Sequence, residues 1–150
     1  MASIKDLEPK ELWGNFYSLT QCPRPSKHEE VVRQFLVDWA KKKKIECRVD
    51  ATGNVIMKKP ATKGMENRKG VVLQAHIDMV PQARAGKAHD FQKDPIETRI
   101  VDEWVYACDT TLGADNGLGV AAAMAILADN TLQHPAIEAF FTVDEETGMF

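Results

Sequence analysis

No apolar run in this sequence approaches the ~20 residues that a bilayer crossing requires. The opening stretch Met1-Ala2-Ser3-Ile4-Lys5-Asp6 has no signal-peptide core. A membrane protein and a secreted one are both unexpected on these grounds, and a cytoplasmic location is the expectation. Cysteine is scarce. Cys22, Cys47 and Cys108 are odd in number, widely spaced and without a Cys-x-x-Cys pair, which fits reduced thiols better than a disulfide framework. Excess positive charge is missing as well. Nineteen basic residues stand against twenty-two acidic ones, a formal charge of -3, so no field is available to gather nucleic acid or an anionic membrane. The one basic run, Lys41 to Lys44, closes a predicted helix, where lysines favour the negative end of the dipole. Internal repeats and low-complexity tracts are absent too.

What is present is a 150-residue chain, 44% hydrophobic and 27% charged, the composition of one globular core. Leu12, Phe16 and Leu19 recur at helical spacing and predict a helix over Leu7 to Leu19, with Pro9 in its first turn. Ser26 and Glu29 form a capping-box pattern ahead of Val32, Phe35, Leu36 and Trp39, the predicted buried face of a second helix. Ile45 to Val49 and Val55 to Lys58 predict a hairpin around Asp50-Ala51-Thr52-Gly53-Asn54, and Ile96 to Ile100 with Trp104 to Ala107 predicts another. Val71-Val72-Leu73 reads as a strand covered on both faces, and Ile137 to Val143 as a second buried strand. Between them, the alanine-rich stretch Gly117 to Leu127 reads as a helix able to pack closely. Alternating strands and helices with short loops point to an α/β fold, a mixed β-sheet flanked by helices. Ligands in such sheets gather beyond the carboxyl ends of strands.

Three stretches place metal-type ligands just after apolar runs: Ala75-His76-Ile77-Asp78-Met79-Val80-Pro81, Gly113-Ala114-Asp115-Asn116-Gly117 and Val143-Asp144-Glu145-Glu146-Thr147-Gly148. One imidazole and several carboxylates from separate strand ends suit a pair of divalent ions, Zn²⁺ first, with Mn²⁺ or Co²⁺ also accommodated. Asp78, two residues from His76, is a local candidate to accept the imidazole's other N–H. Asp115 has two oxygens and can bridge two ions, although the same carboxylate at a helix start can be an N-cap instead. Glu145 and Glu146 are adjacent, so a turn at Thr147-Gly148 must bring both to one place. One can then bind metal while its neighbour takes a proton from water and delivers it to a leaving amine. The expected chemistry is hydrolysis of an amide. His76, Asp115 and Glu146 offset only two of the four positive charges on two divalent ions, so a further carboxylate and a further neutral ligand are expected.

Together these stretches resemble the metallopeptidase M20 family, and the match extends through Lys59-Pro60-Ala61-Thr62, Gly64-Met65-Glu66-Asn67-Arg68 and Asp90-Phe91. The resemblance implies that His76 binds one zinc, Asp115 bridges both, Glu146 binds the other, Glu145 is the general base and Asp78 orients His76. It implies a cis peptide between Asp115 and Asn116. It further implies a dipeptidase acting on dipeptide substrates, including aminoacyl-histidine ones such as carnosine, and a homodimer for the full-length protein. Family members carry another acidic ligand, a later histidine ligand and a lid or dimerisation domain. None of these is found here, and the sequence ends at Met149-Phe150 soon after the diglutamate. Residues 1–150 are therefore expected to be the amino-terminal part of the catalytic domain, binding metal poorly and turning over little by themselves.

Two other readings stand beside this one. The first is a non-catalytic regulatory or assembly module that kept the fold, against which the intact His76, Asp115, Glu145 and Glu146 argue. The second pairs Cys22 or Cys108 with His28, His89 or His134 as a nucleophilic dyad, although none of these sits in a recognisable nucleophile turn.

Overall fold

The computed structural model describes residues 3–148, so Met1-Ala2 and Met149-Phe150, on which parts of the terminal readings rest, lie outside the described residues. After a 3₁₀ turn at Ile4–Asp6 come α1 (Lys10–Thr20), α2 (Glu30–Lys43), β1 (Glu46–Val49), β2 (Val55–Lys59), β3 (Val71–His76), β4 (Thr98–Val101), β5 (Trp104–Ala107), α3 (Ala114–Ala128) and β6 (Ile137–Thr142).

The first helix begins later than its periodicity predicts. A residue preceding proline is pushed out of the helical region, so Glu8 cannot be helical ahead of Pro9, and Leu7 is extended at φ -72° and ψ 158°. The second helix also starts late. Lys27 adopts φ 70° and the capping box does not form, because the Ser26 hydroxyl and the Glu29 carboxylate are engaged elsewhere. The hairpin of β1 and β2 is as expected. Its turn is organised by the Asp50 carboxylate, which accepts the backbone N–H groups of Thr52, Gly53 and Asn54 at 3.0, 2.9 and 2.9 Å while Gly53 takes φ 105°.

The main sheet has the order β1-β2-β6-β3, with β3 parallel to β6 and the other pairs antiparallel. One face presents Val55, Met57, Ala75, Ala139 and Phe141, which share a core with Phe16 and Leu19 of α1, Val32 and Leu36 of α2, and Val120, Met124 and Leu127 of α3. Each of these apolar side chains is nearly fully enclosed, and burial of the valine, leucine, methionine and phenylalanine groups stabilises by about 1.5–3 kcal/mol apiece. The expectation of a doubly covered strand at Val71-Val72-Leu73 is corrected. β3 is an edge strand, with Val71 44% and Val72 60% exposed, and only its end at Ala75 and His76 is buried. The β-branched run marks a strand but says nothing of its place in the sheet. β4 and β5 form a separate two-stranded ribbon.

Register decides where the strand ends meet. His76 lies opposite Thr142 in the parallel pair, so β3 and β6 end level and their loops emerge at the same edge. The chain after β3 then makes a long excursion. Its base is pinched by a bridge between Ala83 and Thr110, by the Thr111 hydroxyl donating to Val80 O at 2.6 Å, and by Thr111 N–H donating to Gln82 O at 2.8 Å.

Candidate metal centre

His76 ends β3 and is 5% exposed. Its Nδ1 faces Asp78, 3.2 Å from the carboxylate Oδ1 and 3.2 Å from the backbone carbonyl. With the proton on Nδ1, the Nε2 lone pair points outward. There it meets Asp115 Oδ1 at 3.1 Å and Glu145 Oε2 at 3.7 Å. One ligand atom from each of His76, Glu145 and Glu146 lies within 4.8 Å of the others. Lone pairs of one nitrogen and several anionic oxygens converging in this way are completed by a cation, and the mixed N/O set matches divalent ions of the Zn²⁺ class. His76 and Asp78 form the buried wall of the site, whereas the side chains of Asp115 and Glu145 are 87% and 44% exposed.

Asp115 reaches this place through an irregular start to α3. Gly113 takes φ 69°, Asp115 and Asn116 have non-helical backbone angles, and the Asp115–Asn116 peptide is cis. Asp115 makes no N-capping hydrogen bond; its carboxylate faces His76 instead. The glycines nearby hold space for other groups. A Cβ at Gly119 would run into Asn116 Oδ1 and stand 3.3 Å from Ala75 Cβ, so a side chain there would displace the Asn116 amide and press on the end of β3.

The diglutamate turn is held from behind by Asp78. Its Oδ1 accepts the Glu145 N–H and its Oδ2 the Glu146 N–H, each at 3.1 Å, and Oδ2 also accepts the Ser26 hydroxyl at 2.7 Å. Burial alone would push this carboxyl up, but the Ser26 hydroxyl, the two backbone amides and the nearby imidazole outweigh it and hold Asp78 below the usual carboxylate range. Glu29 and Asp144, also buried, flank Asp78 with carboxylate oxygens within 4.8 Å. One oxygen of each is engaged locally: Glu29 Oε1 accepts the N–H groups of Lys27 and Asp144 at 2.9 and 3.0 Å, and Asp144 Oδ1 accepts the Thr147 hydroxyl. This inner acidic group supports the turn.

The structure thus brings His76, Asp78, Asp115, Glu145 and Glu146 to one edge of the sheet. Ser26, Glu29 and Asp144 join them without a sequence signal for this role, since the spacing of Ser26 and Glu29 points to a helix cap instead. The cysteine alternative finds no support among the described residues. Cys22 Sγ donates to Ser18 O at 3.4 Å, and burial pushes its thiol up to about 11. His134 turns Nδ1 to its neighbour's carbonyl at 2.7 Å, and His89 packs edge-on against Phe91.

The family model described as Peptidase family M20/M25/M40 matches residues 72–149. The chain is 50% identical over 149 residues to the cytosol non-specific dipeptidase of Escherichia coli (strain K12), covering 99% of this chain and 31% of that protein. It superposes on the crystal structure of aminoacylhistidine dipeptidase from Vibrio alginolyticus with a TM-score of 0.96 and 53% identity, covering 99% of this chain and 30% of the other. The Bacillus subtilis YxeP protein, described as a dinuclear metal-binding peptidase from the M20 family, shares the fold at TM-score 0.57 and 19% identity over 90% of this chain and 35% of its own. The chain therefore spans about a third of the length of these relatives.

Proposed function

Since the chain belongs to Peptidase family M20/M25/M40, we propose that it supplies the amino-terminal part of the catalytic domain of a two-metal dipeptidase. In this reading His76, Asp115 and Glu146 would hold the ions, with Asp115 shared between them, while Glu145 is the general base and Asp78 orients His76. The observation that carries it is the convergence on His76 Nε2 of Asp115 Oδ1 at 3.1 Å and Glu145 Oε2 at 3.7 Å, with Glu146 in the same cluster. A divalent pair bound there supplies Lewis acidity, which polarises a peptide carbonyl and acidifies water.

The protein's own groups do the remaining work. Asp78 accepts the Nδ1–H of His76, fixing the tautomer that leaves Nε2 free for a cation. Through its other contacts the same carboxylate sets the backbone of both glutamates. Glu145 is partly open to solvent and has room to take a proton from an attacking water and pass it to the departing amine. The donor set leaves positive charge on two divalent ions unbalanced. A further acid and a further neutral ligand, such as a later histidine, are therefore proposed to come from beyond these residues, as is a lid or dimerisation domain. Dipeptides, including aminoacyl-histidine ones of the carnosine type, are the proposed substrates, supported by the two named dipeptidases. A cytosolic homodimer is the proposed state of the full-length protein. Among the described residues no helix is long and apolar enough to cross a membrane.

The test is metal-depleted full-length protein assayed on dipeptides as Zn²⁺, Mn²⁺ or Co²⁺ is restored. Hydrolysis should return with added ions and be lost on chelation. Hydrolysis that resists chelation and is blocked by a thiol reagent would overturn the reading. The isolated 150 residues should bind Zn²⁺ weakly by calorimetry; two tight sites with turnover would contradict an incomplete ligand set.

A further inference from the structure

Arg24 is the most deeply buried cation among the described residues, 2% exposed, and it lies within the main chain that carries the site. Its Nη1 donates to Ile77 O at 3.0 Å and Asp78 O at 3.2 Å, and its Nη2 donates to Gly113 O at 2.6 Å. The first two carbonyls come directly after His76, and the third precedes Asp115 by two residues. The arginine's own backbone is fastened to the same loop, since Met79 N–H donates to Arg24 O at 3.1 Å and Ser26 N–H to Met79 O at 3.3 Å.

The surroundings are shaped to the guanidinium. A Cβ at Gly113 would stand 2.5 Å from Nη2 and one at Gly117 2.7 Å from the same atom, so both glycines leave the volume that Arg24 fills. Burial lowers its affinity for a proton, with Asp78 opposing, and leaves it at about 10, so the side chain is charged at neutral pH. A buried charge is retained only where acceptors replace water. Three carbonyls from two loops take both Nη groups while Nε has no partner, and a planar fork can address both loops at once, whereas an ammonium is a single point.

Resting on the reading of His76 and Asp115 as ligands, we propose that Arg24 is a positioning residue. Its guanidinium ties the Ile77-Asp78 carbonyls to the Gly113 carbonyl and so sets the gap between the imidazole of His76 and the carboxylate of Asp115.

Hydrogen exchange in the metal-free full-length protein tests this without depending on metal. The reporters are the amide of Met79 and that of Gly117, which donates to the same Gly113 carbonyl at 3.1 Å. Arg24→Met should speed exchange at both amides by roughly tenfold or more relative to the global rate, as expected of loops released to open locally. Arg24→Lys, able to serve one loop at a time, should fall between. A core variant, Leu36→Ala, brought by temperature to the same overall stability, should leave that ratio unchanged. Unaltered exchange at either amide, or equal loosening in the core variant, overturns the proposal. If Arg24→Met does not fold, Arg24→Lys decides by the same criterion. In a second arm, Co²⁺ affinity should fall about 10–100-fold in the arginine variants and not in Leu36→Ala, with an altered visible spectrum. Wild-type protein that fails to bind Co²⁺ would count against the metal reading, and the exchange result would still judge Arg24.

Discussion

The Ser26 hydroxyl donates to Asp78 Oδ2 at 2.7 Å, across fifty-two positions of sequence. This bond connects the segment before α2 to the carboxylate that steadies both His76 and the diglutamate turn. Removing it tests how far the support of the site is also support of the fold. Ser26→Ala should cost about 1.5–3 kcal/mol, the range for a hydrogen bond to a charged group. Urea unfolding should show a lower midpoint with an unchanged slope.

The acid limb of stability should follow the carboxylates that the fold holds low. Asp50 is lowered chiefly by the Asn54 side chain; Asp78 is lowered by Ser26 and two amides against the upward push of burial. Both have folded values below the unfolded 3.8, so their stabilisation is fully present above that pH and is lost as pH falls through the lower folded values. Denaturant midpoints measured from pH 6 downward should therefore be level at first and decline below about pH 4. Ser26→Ala should make the decline shallower, because losing the hydroxyl brings the folded value of Asp78 back toward the unfolded one.

Glu145→Gln in the full-length protein separates proton transfer from metal binding. Hydrolysis should fall by about 10²–10⁴-fold, the range for a lost general base, while metal content by atomic emission stays the same. Retained hydrolysis would assign the base elsewhere. Asp115→Asn should give the complementary result, with weakened metal uptake in calorimetry.

Gly119→Ala places a methyl group against Asn116 Oδ1 and 3.3 Å from Ala75 Cβ. Overpacking of this kind costs about 1–3 kcal/mol. The melting temperature should drop, and the metal affinity with it, because the displaced group adjoins Asp115.

Cys22 should be a slow thiol. Burial pushes its ionisation up to about 11, and the thiol donates to Ser18 O, so little thiolate exists at neutral pH. Alkylation and then peptide mass analysis should find it largely unmodified in the native protein and modified on unfolding.

Those residues that end strands could be read from the sequence. His76 comes after a β-branched run and Glu145 after an apolar one, so both strand ends, and hence their convergence beyond one sheet edge, are legible in local pattern. What could not be read locally was long-range partnership. Ser26 and Glu29 have the spacing of a capping box, yet Asp78 and the amides of Lys27 and Asp144 compete for them and win. Arg24 stands between Pro23 and Pro25, a local pattern that speaks of chain direction and not of a site; its meaning lies in carbonyls at positions 77, 78 and 113. Exposure of Val71 and Val72 was hidden for a related reason, since strand order is decided by partners and not by composition.

The pinch between Ala83 and Thr110 closes the neck of the excursion beyond it, and that excursion leans back on the core through Ile96, Ile100 and Val105. Its two ends are fixed beside His76 on one side and Asp115 on the other, so exchange of its exposed outer residues leaves the gap between those two side chains undisturbed.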